Sequence, residues 1–140
     1  MRPFILAAVF ALGTGGPAAA VGSEDAPASL SPARAAIEAG DWTEALRLLG
    51  PILEAEPRNA DALNLAAFAS RNLDRLDEAS ALYDRALAAE PDHLGALEYQ
   101  GELFLRLGDR AAAEANLARL DALCGDCEER QELAAALAAE

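Results

Sequence analysis

The chain has 140 residues, with 24 acidic against 11 basic side chains and a formal charge of −13. Its hydrophobic fraction is 53%, yet 36 residues are Ala, 5% are aromatic, and every basic residue is Arg. Such acidity repels a phosphate backbone and excludes nucleic-acid binding; two cysteines are too few for a disulfide-framework miniprotein; the apolar content is too high for a disordered acidic tail.

In chain order, Arg2 supplies one positive charge, residues 4–12 form an apolar run, and Gly and Pro in 13–17 break it before Ala18, Ala19 and Ala20. That order predicts a secretory signal peptide over 1–20, cleaved near Ala20. The run is too short for a membrane anchor, which needs roughly 20 apolar residues. Removing 1–20 leaves 120 residues with a charge of −14. Residues 21–30 read as a flexible lead-in. The expected location is periplasmic or secreted, with no stable membrane insertion after cleavage.

Beyond the lead-in the chain repeats. GDWTEA starts at Gly40, DRLDEA at Asp74 and GDRAAA at Gly108, so Ala45, Ala79 and Ala113 fall 34 residues apart. Pro57 and Pro91 keep the same 34-residue interval. Such a period marks a stack of supersecondary units. Each period holds two helical patterns. Asn59 is expected to cap a helix over 60–72, and Asp92 one over 93–106; Asp41 and Asp109 stand where second helices begin. Pro57 and Pro91 end helices. After Gly125, residues 127–139 form one more amphipathic pattern with Leu133 and Leu137 on one face, and Asp126 with Glu129 reads as its capping box.

This pattern resembles the tetratricopeptide repeat (TPR) family. The middle repeat, 60–93, places Leu63, Ala67, Ala79, Tyr83, Ala86 and Pro91 at the family's marker positions, with Asp74 where Gly is usual. The third, 94–125, places Leu97, Gly101, Phe104, Gly108, Ala113 and Leu117. The first, 26–59, keeps Gly40, Trp42, Ala45, Leu49 and Pro57. Pro32 falls inside its first helix, which therefore starts at Ser31-Pro32 and is short, and Ile52 replaces a small residue. The resemblance implies an all-α fold. It has three helix-turn-helix pairs over 31–125, a C-terminal capping helix over 126–140, and a short right-handed solenoid.

The chemistry available is narrow. There is one His, no Lys, and no glycine-rich phosphate loop. His93 reads as an exposed turn residue. No catalytic set, cofactor or metal follows, so the chain is not expected to be an enzyme. Three readings of the Cys124/Cys127 pair stand. One is a structural disulfide, natural in an oxidising compartment. Another is a redox pair, with Cys127 at a helix N-terminus. The third is a metal site, for which a closed zinc centre wants four ligands. The last two define an alternative function, a periplasmic thiol-redox or metal-handling protein.

The resemblance implies a protein or peptide partner held on the concave face of the first helices. Carried onto this chain, the middle repeat offers Asn64, Phe68, Arg71 and Asn72 to that partner, and the third offers Glu98, Glu102, Leu105 and Arg106. Phe68 is the expected anchor, since aromatics and Arg dominate interface energetics; its competing reading is packing against the neighbouring helix. Glu102 and Arg106 are expected to pair within their helix. The family's carboxylate clamp uses Lys, which is absent here. The first helices sum to charges of 0, 0 and −1, and the tail from Asp126 carries −4. That division predicts a near-neutral groove. An adaptor or assembly role in the cell envelope is the leading expectation, and self-association through exposed helix faces is a further one.

Overall fold

The computed structural model describes residues 29–140. The leader and all but the last two residues of the lead-in lie outside the described residues. Those two belong partly to the fold: Leu30 packs against the core ahead of the first helix. The described residues form seven helices and no strand. They are α1 (Ser31–Glu38), α2 (Trp42–Ala55), α3 (Ala60–Asn72), α4 (Leu76–Ala89), α5 (Leu94–Arg106), α6 (Arg110–Leu123) and α7 (Glu128–Ala138).

Local chemistry sets most boundaries. Asp41, Asn59 and Asp109 accept the backbone N–H groups of Glu44, Ala62 and Ala112 at 3.0, 3.0 and 3.1 Å. Each such cap contributes about 1 kcal/mol. α5 departs from the expectation: its cap is His93, not Asp92, with the imidazole Nδ1 accepting from Ala96 N at 3.0 Å. α7 also lacks the expected capping box. Its N-cap is Cys127, and the Asp126 carboxylate instead accepts from Gln131 Nε2 at 2.9 Å.

The turns between paired helices repeat in conformation as well as in sequence. Gly40, Asp74 and Gly108 have φ of 73°, 64° and 79°. Glycine adopts this left-handed region freely, and Asp is among the few other residues that tolerate it.

Packing follows the same 34-residue period. Ala45, Ala79 and Ala113 are all fully buried, which is why no larger side chain stands there. Tyr83, Leu49 and Leu63 fill the centre of the larger core, and Leu97, Leu120 and Leu133 that of the C-terminal one. Neighbouring repeats are also tied through polar groups. Arg85 donates to the Pro57 carbonyl at 3.3 Å, and Arg119 donates to the Pro91 carbonyl. Both residues of each tie are 34 apart from their counterparts. The equivalent position in α2 is Pro51, inside the helix. No earlier repeat exists among the described residues for an Arg there to reach.

α7 packs on α5 and α6 as α5 packs on α3 and α4. It occupies the place of a fourth first helix. Its approach to α5 is close because Gly101 has no side chain: a Cβ there would stand 2.6 Å from a Leu133 methyl carbon.

Candidate functional site

The first helices α1, α3, α5 and α7 share one face of the stack, and aromatic side chains run along it. Phe68 of α3 lies between Trp42, the first residue of α2, and Tyr99 of α5. Its ring centroid is 5.8 Å from that of Trp42, edge-on, and 4.7 Å from that of Tyr99. All three are half-buried. The Arg71 guanidinium lies over two of the rings, 5.1 Å from the Phe68 centroid and 5.6 Å from that of Tyr99. It also meets Glu102 at 2.7 Å and donates to the Tyr99 carbonyl at 3.2 Å. Aromatic edge and cation–π contacts of this kind each add roughly 0.5–1 kcal/mol. Phe68 therefore packs on its neighbours while the residue stays partly exposed.

The C-terminal end of this face is acidic. Glu98 is 8% exposed and forms no hydrogen bond or ion pair among the described residues. Burial first, then the charges of Glu102, Glu129 and Glu132, push its carboxyl up to about 8, against a smaller lowering by Arg71. Burial, then Glu98 and Glu102, likewise raise the Tyr99 hydroxyl. Glu129 and Glu132 belong to α7, so the tail forms part of the wall here. The expectation of a near-neutral groove is thereby corrected at this end.

Comparison with known proteins bears on the architecture. Residues 36–100 match the family model described as Tetratricopeptide repeat. Tetratricopeptide repeat protein 37 of Xenopus laevis is 31% identical over 88 residues, which are 63% of this chain and 6% of that protein. The chain thus spans a small fraction of that relative's length. The first TPR domain of Spaghetti (RPAP3), solved with an HSP90 peptide, superposes with a TM-score of 0.67 at 20% identity, covering 77% of this chain and 89% of that one. The first TPR domain of the human RPAP3 protein gives 0.68 at 19%, covering 79% and 90%. A tetratricopeptide repeat protein from Parabacteroides merdae gives 0.67 at 21%, covering 77% and 42%. This is a tetratricopeptide-repeat fold.

The TPR face sorts the expected partner-binding residues into three groups. Phe68, Arg71 and Glu102 come together, with Arg71 held as a brace rather than left free: its side chain is 12% exposed. Asn64, Glu98 and Leu105 are buried, at 7, 8 and 9% exposure, so none of them presents a broad surface. Asn72 and Arg106 lie at the turn ends of their helices. Asn72 Nδ2 donates to the Phe68 carbonyl at 2.8 Å within its own helix. Arg106 does not pair with Glu102. It reaches across to Asp74 at 2.5 Å and to the Arg71 carbonyl at 2.9 Å. Glu102 is already occupied by Arg71, which is the physical reason.

Trp42 and Tyr99 complete the strip, although neither stands at a position that the family resemblance gives to the partner. A usable signal exists. Phe68 and Tyr99 are 31 residues apart, as are Arg71 and Glu102. That is one helical turn short of the repeat, so a first-helix residue meets the residue one turn earlier in the next first helix.

His93 is also corrected. Its side chain is 11% exposed, it caps α5, and its Nε2 lies 3.0 Å from Asp61 of the previous repeat. It is a joint between repeats. Cys124 and Cys127 face each other in the turn between α6 and α7, with a Cα–Cα separation of 5.6 Å and sulfurs at bonding distance. Among the described residues, no group of three or more His, Cys, Asp or Glu is placed to hold a metal ion. No described helix is long and apolar enough to cross a membrane.

Proposed function

We propose that this protein is an exported, non-catalytic interaction module, holding a protein or peptide partner in the groove of its first helices. Its role is that of an adaptor or assembly factor in the cell envelope. The observation that carries the reading is the aromatic strip Trp42–Phe68–Tyr99, braced by Arg71 and partly exposed. Rigid aromatics give large contact area at low entropic cost, which suits them as anchors. The HSP90 peptide on the Spaghetti domain supports a peptide as the type of ligand. Its specificity is not carried over, because this chain has no Lys. The apolar leader over 1–20 supports export, and export suits a Cys124–Cys127 disulfide stapling the last turn.

The test is partner capture from periplasmic extract with the purified protein, then with Phe68→Ala and Tyr99→Ala. Each variant is checked for helical content first. Loss of a central anchor costs 2 kcal/mol or more, about thirtyfold in affinity. Unchanged capture by both variants rejects the groove. Thiol titration of the same material tests the staple, since two free thiols are incompatible with it. Sedimentation at several concentrations tests the self-association reading.

A further inference from the structure

Glu98 is a carboxylate in an unusual position. It is buried to nine-tenths, without a partner, and yet not sealed. Among the described residues, the enclosed side-chain polar atoms lacking partners are Asn64 Oδ1, Ser70 Oγ and Tyr83 Oη, and the Glu98 oxygens are not among them. Glu102 of the same helix, and Glu129 and Glu132 of α7, which packs on α5, add negative charge around Glu98. Among the described residues the cation nearby is Arg71, and it is committed to Glu102 and to the Tyr99 carbonyl. A buried charge without a partner is costly. The free protein meets that cost by holding a proton on Glu98, whose carboxyl is pushed up to about 8. A proton is a poor substitute for a hydrogen-bonded cation, and nothing within the described fold supplies one.

We infer that the α5–α7 end of the groove is a receptor for a basic side chain of the bound peptide. Glu98 receives the guanidinium or ammonium group, and Glu129 and Glu132 draw it in. Tyr99 follows Glu98 in sequence and belongs to the aromatic strip, so an apolar residue of the same peptide lies on Phe68 and Tyr99. A guanidinium suits the site better than an ammonium, because its planar fork matches a carboxylate and stacks on aromatic rings. The inference rests on the groove reading above and adds the chemistry of its occupant.

The experiment uses the full chain as bait for random peptides displayed on phage, with Phe68→Ala as a counter-selection for binding in the groove. Selected peptides are then synthesised with Arg or with citrulline, its uncharged isostere. The expected selection carries a basic residue at a fixed offset from a bulky apolar one. Citrulline is expected to weaken binding to the wild type about thirtyfold or more, the effect of removing one member of a desolvated charge pair. On Glu98→Gln the Arg and citrulline forms are expected to bind alike. Peptides that depend on Phe68 but share no basic residue, or bind equally as citrulline forms, overturn this inference and leave the groove reading standing. If no selected peptide depends on Phe68, both are overturned together. The citrulline comparison on the wild type does not require that any variant fold.

Discussion

Gly101 decides how closely α7 lies on α5, and adding one methyl group there tests the packing of the whole C-terminal end. In Gly101→Ala the new Cβ would stand 2.6 and 2.7 Å from the two methyl carbons of Leu133 and 3.2 Å from its Cγ. Leu133 is fully buried, so its methyl groups have little room to retreat. Overpacking of this kind costs about 1–3 kcal/mol. Ala is better than Gly in a helix by about 0.8–1.0 kcal/mol, which offsets part of the loss. The expected net effect is a destabilisation of about 1 kcal/mol, a fall in Tm of roughly 4–8 °C for a domain near this size. Thermal and urea unfolding followed by circular dichroism give the number. A double-mutant cycle locates its cause. Leu133→Ala alone is expected to cost about 2–5 kcal/mol through the cavity it leaves. Combined with Gly101→Ala, the total should fall short of the sum by at least about 0.5 kcal/mol, because the added methyl fills vacated space. A Gly101→Ala protein as stable as the wild type, together with an additive cycle, would refute the close approach of α7.

Pro51→Ala is expected to stabilise the protein by about 2 kcal/mol in urea unfolding, since an interior helix proline costs about 3 kcal/mol and returns up to about 1 through the unfolded chain. Glu98→Gln is expected to change the pH dependence of stability. The folded protein keeps the Glu98 proton up to about pH 8 while the unfolded chain releases it near 4.5, so wild-type stability falls as pH rises through that window, with a ceiling of ~5 kcal/mol. The variant should lack that part of the slope, and identical slopes for the two proteins would contradict the burial of Glu98. Arg71→Ala is expected to cost about 2 kcal/mol and to loosen Tyr99, seen as increased quenching of its fluorescence, because the ion pair to Glu102 and the stacking on two rings go together.

How much of this was legible in the sequence depended on whether a constraint was local. Ala45, Ala79 and Ala113 repeat because each is fully enclosed by its neighbours, and that steric limit writes itself directly into residue type. Gly40, Asp74 and Gly108 repeat because the turn demands positive φ. Asn59 and Asp41 were readable because a cap needs only its own first turn. The groove was less legible because its contacts are chosen among competitors. Arg106 had a carboxylate four residues back in Glu102 and another across the turn in Asp74, and spacing alone favours the first. Only the prior claim of Arg71 on Glu102 sends Arg106 to Asp74. His93 likewise reads as a turn residue until Asp61, 32 residues earlier, is brought beside it.

The tail shows how one set of residues answers two demands. A repeat stack needs an end helix with a polar outer face, and α7 meets this by burying only Leu133 and Leu137. Its first turn carries Glu128 and Glu129, where the helix dipole favours negative charge. Assigning the tail charge of −4 to solvent alone follows naturally from the sequence. Yet a helix that caps the stack by lying on α5 must also become a wall of the face that α5 lines. The acids that keep the end of the stack soluble then raise the cost of leaving Glu98 ionised and alone. Shortening α7 from its C-terminal end to remove Leu137 is therefore expected to lower stability in urea unfolding while leaving Glu129 and Glu132, and with them the pH dependence set by Glu98, in place.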